Sequence, residues 1–345
     1  MNRQSYMEIS KSNFRYNLRE IKDYVGNKIV MPIIKANGYG THINKCLELI
    51  KDFNIVGVAC VSEAIELRDI GYRGEIFVLN QPYIEDIDNI IKYEVTVGVS
   101  DINFVRGLAR TEKKVKVHIE LETGMNRTGV LSKYLESFVD DILKYPTVLV
   151  TGIYTHFSCA DNDTKYTNKQ IEIFNSGVEL IKNEIDTIKY VHCSASNGLL
   201  NFNVDTCNMV RAGIIMYGYP SSDTTLDKID IKPIAKLKSK INYIKVIDKD
   251  ESVSYGRRFI SKDRMVVATV GIGYADGVRR SLSNKGSVVI RGIKCPIIGS
   301  VCMDSFMVDV SNVTNVDVGD DVYIWDNDLI KLEDISNIYD TINYE

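Results

Sequence analysis

At 345 residues the chain exceeds one ordinary domain, so one large α/β unit plus a smaller domain is the first expectation. Its 45% hydrophobic and 26% charged residues are the composition of a soluble globular protein, and a net charge of −4 argues against nucleic-acid or anionic-membrane partners, which select a basic face. No apolar stretch approaches the roughly 20 residues of a spanning helix and no charged-then-apolar leader opens the chain, so a cytoplasmic location is expected.

From about residue 11 to 215, short β-rich runs alternate with amphipathic helical patterns. Leu18, Ile21, Tyr24 and Val25 have helical spacing ahead of a first strand at 29–34. Further strands are predicted at 55–60, 75–79, 95–99, 115–121, 148–154, 189–193 and 208–214. Helices between them are predicted at 44–52, 62–70, 84–91, 102–109, 133–143 and 169–185. Eight strands, each followed by a helix or a short turn of one, are what a (β/α)8 TIM-like barrel requires. The absence of a Gly-rich dinucleotide loop after the first strand disfavours an open doubly wound sheet.

After about residue 232 the texture changes. Strands are predicted at 237–246, 265–270, 286–291, 294–298, 305–310 and 321–325, with few helical stretches. The expected division is therefore a barrel over 11–232 and a mostly β domain over 233–345 that includes residues 1–10. The seven cysteines (Cys46, Cys60, Cys159, Cys193, Cys207, Cys295, Cys302) have neither CxxC nor Cys/His zinc spacing, and most sit inside apolar runs. Buried reduced thiols and no metal site are expected.

Several segments could carry chemistry. Lys35 closes the first strand before the Gly-rich run Ala36-Asn37-Gly38-Tyr39-Gly40, at the carboxyl end where barrel active sites lie. A lysine buried in that mouth must be paired or neutral, and the neutral amine makes a Schiff base with an aldehyde. Taken alone, the same lysine could simply reach solvent. Val210-Arg211-Ala212-Gly213-Ile214 ends the eighth strand, where barrel loops commonly bind phosphate through backbone N–H groups, and Ser196 after the seventh strand adds a hydroxyl. His156, after the sixth strand, joins Lys35, His192 and Arg211 at one face. In the β domain, Ser254-Tyr255-Gly256-Arg257 and Gly273-Tyr274-Ala275-Asp276-Gly277 read in isolation as ordinary turns.

Together these segments closely resemble the alanine racemase family of fold-type III pyridoxal enzymes, over essentially the whole chain. The matching runs are 35–40, Thr123-Gly124-Met125-Asn126-Arg127, Thr155-His156-Phe157-Ser158, 208–214, 254–257, 273–277, Val301-Cys302-Met303-Asp304 and Thr341-Ile342-Asn343-Tyr344-Glu345, all in family order. The resemblance implies an amino-acid racemase with Lys35 carrying pyridoxal 5'-phosphate. It places the phosphate against Tyr39, Ser196, Gly213, Ile214 and Tyr344, His156 against the ring, and Arg211 at the ring nitrogen, held by His192.

Racemisation removes the α-proton from one face of a planar centre and returns one to the other, so it needs two bases. The resemblance assigns these to Lys35 and Tyr255, and a tyrosine base requires nearby positive charge or hydrogen bonding. It further implies a head-to-tail homodimer in which Tyr255, Tyr274, Met303 and Asp304 come from a second subunit. Arg127 and the Met303 N–H would hold the substrate carboxylate, with Arg280 near the entrance.

Three departures stand out. Glu120 occupies a position where many relatives carry a lysine, often carbamylated, that orients the substrate-binding arginine; its carboxylate either restrains Arg127 or packs against another partner. The usual Asn-Ser after the seventh strand is Ala195-Ser196. The chain also ends at Glu345, before the last strand typical of relatives. Retained Tyr344 favours alanine over serine as substrate. Rival expectations are a serine-preferring racemase, a basic amino-acid decarboxylase, an inactive homologue, and a non-catalytic pyridoxal-phosphate-binding barrel, which would lack residues 235–345.

Overall fold

A computed structural model describes residues 4–222 and 225–345. The chain divides into two compact units, Lys11–Lys232 and Met1–Ser10 with Pro233–Glu345.

The larger unit is a ring of parallel strands. After β1 (Tyr6–Ile9), which belongs to the other unit, the strands are β2 (Ile29–Pro32), β3 (Ile55–Val58), β4 (Glu75–Val78), β5 (Thr96–Val99), β6 (Val115–Glu122), β7 (Val148–Tyr154), β8 (Tyr190–His192) and β9 (Met209–Ala212). They pair in chain order from β3 to β8, and β9 pairs with β2 with Met209 opposite Ile29. A bridge between Ile33 and Gly57 joins β2 to β3. Backbone bonds from Asn208 N–H to the Val191 carbonyl (3.1 Å) and from Arg211 N–H to the Ser194 carbonyl (3.0 Å) join β8 to β9. The barrel expectation is borne out.

Every residue of β3 and β5 is buried, because helices cover one face and the barrel interior the other. That interior packs Met31, Ile33, Ile55, Phe77, Tyr154, Tyr190 and Met209 against one another. Gly152 has a spatial reason: a Cβ there would stand 2.5 Å from the His118 ring, so only glycine lets that imidazole lie inside the sheet.

The helices are α1 (Lys11–Val25), α2 (Leu47–Ile50), α3 (Val61–Asp69), α4 (Ile87–Lys92), α5 (Ile102–Ala109), α6 (Ser132–Ile142), α7 (Thr164–Glu184) and the short α8 (Ser196–Asn201). α1 buries Phe14, Asn17 and Ile21, the i, i+3, i+7 spacing that a helix places on one face. α7 begins five residues before its predicted start, because the Asp163 side chain accepts from the Tyr166 N–H at 2.9 Å and caps the helix. The helix expected at 44–52 is interrupted at Cys46, whose backbone (φ −102°, ψ 80°) separates a 3-10 turn from α2.

The smaller unit is antiparallel. Its strands are β1, β10 (Ala235–Ile247), β11 (Met265–Val270), β12 (Ser287–Ile290), β13 (Ile293–Ile298), β14 (Phe306–Asp309) and β15 (Asp321–Trp325). They run in the order β1-β10-β11-β14-β13-β12-β15, and β15 pairs back onto β10, curling the sheet around Ile241, Val270, Val288, Phe306, Val308 and Val322. Helix α9 (Leu332–Tyr339) was not foreseen; Ile335, Ile338 and Tyr339 pack on the core at helical spacing, but eight residues are a short window in which to read a period.

All seven cysteines are free, yet only Cys193, Cys207 and Cys295 are buried. Cys60 is exposed because β3 ends at Val58 and the apolar run has already left the barrel wall by that residue. No helix among the described residues is long and apolar enough to cross a membrane.

Candidate active site

β2 ends at Pro32, Ile33 makes its bridge, and Lys35 follows at the mouth of the barrel. The next residues are not an ordinary glycine turn. Ala36, Asn37, Gly38 and Tyr39 all have positive φ (52°, 53°, 61° and 54°), and the Gly40 N–H donates to the Ala36 carbonyl at 2.9 Å. The chain thus makes one turn of left-handed helix, which costs a non-glycine residue about 1–2 kcal/mol. Gly38 is required within it, since a Cβ would stand 2.7 Å from Ile43 Cγ2. The turn brings the Tyr39 ring to 4.8 Å from that of Tyr217. Burial lowers the Lys35 ammonium from its usual 10.5, Arg127 and Arg211 add to the lowering, and Glu63 opposes it.

Arg211 is almost fully buried, and every partner it has is uncharged. Nη1 donates to His192 Nδ1 (2.9 Å) and the His192 carbonyl (3.1 Å); Nη2 donates to His156 Nδ1 (2.9 Å) and to the Thr155 and Cys193 carbonyls (each 2.8 Å). None of these bonds uses Nε. Guanidinium has donors only, so both Nδ1 atoms must accept. His192 therefore carries its proton on Nε2 and donates it to His118 Nδ1 at 3.0 Å. His118 in turn carries its proton on Nε2, a buried atom with no hydrogen-bond partner. All three rings are neutral: burial pushes His118 and His156 down to about 3, and His192 well below its ordinary value.

Two hydroxyls converge beside this arginine. A Cβ on Gly213 would stand 3.0 Å from Tyr39 Oη and 3.4 Å from Ser196 Oγ, so the missing side chain leaves an open, polar niche. Ser196 is the first residue of α8, and Ile214 opens a 3-10 turn, so two helix starts face the same space.

Glu120 is buried on β6 beside the Thr128 and Tyr154 hydroxyls. Burial raises its pKa, those hydroxyls pull it back, and Oε2 has no hydrogen-bond partner. Among the described residues no ion pair joins it to Arg127, which is exposed. The charges of Arg127 and Arg211 also lower the Glu120 pKa, so its carboxylate lies within electrostatic reach of Arg127 without an ion pair.

In the smaller unit the remaining candidates lie on loops tied together by hydrogen bonds. Ser254 Oγ donates to the Ser300 carbonyl (2.7 Å), and Ser300 Oγ donates to the Tyr255 carbonyl (3.0 Å). The Tyr274 N–H donates to the Cys302 carbonyl and the Ala275 N–H to the Met303 carbonyl, each at 3.0 Å. Tyr255 is 74% exposed, Met303 53% and Tyr274 43%, so the group presents apolar side chains outward. Asp304 follows Met303 in the same loop, Arg280 opens a separate 3-10 turn, and Tyr344 is half-exposed.

The alanine racemase N-terminal domain model matches residues 9–221, and the alanine racemase C-terminal domain model matches 234–345. The chain belongs to the alanine racemase family. It is 36% identical to alanine racemase 2 of Caldanaerobacter subterraneus, over 99% of this chain and 92% of that protein. The identity to the alanine racemase of Methanococcus maripaludis is also 36%, over 99% and 94%. Among solved structures, the alanine racemase of Clostridium difficile 630 superimposes with a TM-score of 0.92 at 31% identity, over 100% of this chain and 92% of that one.

Within this member of the alanine racemase family, sequence reasoning missed His118, Tyr154 and Glu63. His118 looked like ordinary alternation in Val115–Glu122, and its contact with His192 spans 74 positions. Tyr154 stacks on His192 (ring centres 5.2 Å, 6° apart) and donates to the Leu79 carbonyl at 2.6 Å. No local signal marked His118, because polar residues alternate along the whole of Val115–Glu122 and its place opposite Gly152 is set by strand register.

Proposed function

We propose that this chain is an alanine racemase that interconverts L- and D-alanine with pyridoxal 5'-phosphate as cofactor, using Lys35 and Tyr255 as the two bases. One observation carries the reading: a partly buried lysine of lowered pKa, an arginine in neutral surroundings and a niche of two hydroxyls share one barrel mouth.

The residues fit the group. The niche at Gly213, bordered by Tyr39 Oη and Ser196 Oγ, suits a phosphate, with the Gly213–Ile214 backbone as a further contact. Arg211 keeps its Nε free of the bonds that anchor it, so it can donate to the ring nitrogen, and His156 and His192 hold its plane. Because arginine does not release its proton at neutral pH, that nitrogen stays unprotonated. Bound there, pyridoxal phosphate supplies an aldehyde for the amine and a conjugated ring that spreads the charge left when the α-proton departs.

The chain's own groups do the rest. Lys35, biased toward its neutral form, takes or returns the α-proton on one face. Tyr255 does so on the other. Arg127 and the Met303 N–H hold the substrate carboxylate, with Tyr274, Asp304 and Arg280 around the approach. The outward-facing cluster of Tyr255, Tyr274 and Met303 supports a head-to-tail homodimer in which these residues complete a partner's site.

The test is incubation of the cofactor-loaded protein with L-alanine, and separately with L-serine, in deuterated water. Racemised alanine carrying α-deuterium is expected. Faster racemisation of serine overturns the substrate assignment, and no α-deuterium in either amino acid overturns the racemase reading.

A further inference from the structure

Glu63 is the third residue of α3, and its two carboxylate oxygens are divided between two distant pieces of backbone. Oε2 accepts from the Ala59 N–H at 2.7 Å, just past the carboxyl end of β3. Oε1 accepts from the Ala36 N–H at 2.6 Å, on the peptide that joins Lys35 to the left-handed turn. A single side chain therefore ties the end of one barrel strand to the residue that follows the lysine. Both are hydrogen bonds to an ionised acceptor, the strong kind, and their distances are at the short end of the range.

The tie falls where the backbone most needs one. Ala36 adopts φ 52° and ψ 53°, a conformation with no intrinsic appeal for alanine. Conformations of this kind persist only where surrounding contacts over-determine them. Tyr39 and Gly40 at the far end of the turn are held by packing on Tyr217 and by the Gly40 N–H to Ala36 carbonyl bond. At the near end, Ala36 N–H is held by Glu63.

We propose that Glu63 is a positioning residue for Lys35: its carboxylate holds the left-handed backbone at Ala36 and so sets the angle at which the amine enters the barrel mouth. The inference rests on Lys35 being the proton-carrying amine of the proposed reaction. Glu63 touches neither substrate nor cofactor; it acts through the peptide at position 36. Its negative charge also lies close enough to Lys35 to favour the ammonium against burial.

Glu63→Gln keeps the length of the side chain but leaves one oxygen to serve two N–H groups and turns an NH2 toward the other. Ala36→Gly removes the cost of positive φ without touching Glu63. In the full-length enzyme Glu63→Gln is expected to lower kcat about 10- to 100-fold while KM for alanine stays within about threefold, the pattern of a misplaced base and not of lost substrate binding. The cofactor-free variant should bind pyridoxal phosphate about tenfold more weakly, read by absorbance titration. Adding Ala36→Gly should restore at least about fivefold of both losses, a non-additivity expected only if the two positions act on one backbone conformation.

If Glu63→Gln does not fold, Glu63→Asp, which keeps the charge but is too short to reach both N–H groups, enters the same cycle. Glu63 variants within twofold of the parent overturn the proposal, and so do losses that Ala36→Gly leaves unchanged. A Lys35→Ala protein that still racemises alanine overturns the reading of Lys35 itself. A dead Lys35→Ala beside an unimpaired Glu63→Gln overturns only the role of Glu63.

Discussion

Acid forces protons onto imidazoles that the fold keeps neutral, and the size of that effect follows from burial. His118 and His192 are both 0% exposed. Burial takes His118 from 6.5 to about 3 and His192 well below 6.5, whereas both titrate near the ordinary value once the chain unfolds. A depressed folded pKa stabilises the native state fully above 6.5, and that stability drains away as pH falls from 6.5 toward 3. Between about pH 5.5 and 4.5 unfolded His118 holds one more proton than its folded counterpart, which removes about 1.4 kcal/mol per pH unit, and His192 shifts stability in the same direction. The assay is urea unfolding of the cofactor-free protein, followed by circular dichroism, at several pH values from 7.5 to 4.5, for the parent and for His118→Phe. The variant should lose stability less steeply by about 1.4 kcal/mol per pH unit, because His156 and the carboxylates are common to both proteins. Equal slopes in the two proteins, or a parent whose stability is flat below pH 6.5, would refute the chain of neutral imidazoles.

Gly213→Ala places a methyl against Tyr39 Oη and Ser196 Oγ, so affinity for pyridoxal phosphate should fall at least about tenfold while the melting temperature of the cofactor-free protein stays within a few degrees; unchanged affinity removes the phosphate from that niche. Tyr255→Phe should cut racemisation by about a hundredfold or more and make the enantiomers inequivalent, with α-deuterium entering one from solvent and not the other; equal exchange into both would deny Tyr255 its role as a base. Phe174 on α7 is fully buried, so Phe174→Ala should cost about 3–5 kcal/mol of unfolding free energy by denaturant titration.

Much of the barrel was legible because its strands are buried on both faces and read as unbroken apolar runs, Ile55-Val56-Gly57-Val58 being one. Helices announced themselves by period, as Phe14, Asn17 and Ile21 do in α1, but the cap at Asp163 and the break at Cys46 were passed over. Lys35, Arg211, Ser196 and Gly213 were legible as candidates because each ends or follows a strand on the side where barrel loops gather.

Fold class and the cast of the site were thus written into local pattern and motif order, both of which one strand or one turn can carry by itself. The electrostatic state of that cast was not. Arginine 211 meets His156 across 55 positions, His118 meets His192 across 74, and Glu63 meets Ala36 across 27. Neutral imidazoles, forced tautomers and a left-handed turn at Ala36 and Tyr39 arise only when folding removes water and brings such pairs within hydrogen-bond reach. Neither desolvation nor a donor's choice of acceptor is a property of any single stretch of chain, so the tertiary structure alone decided them.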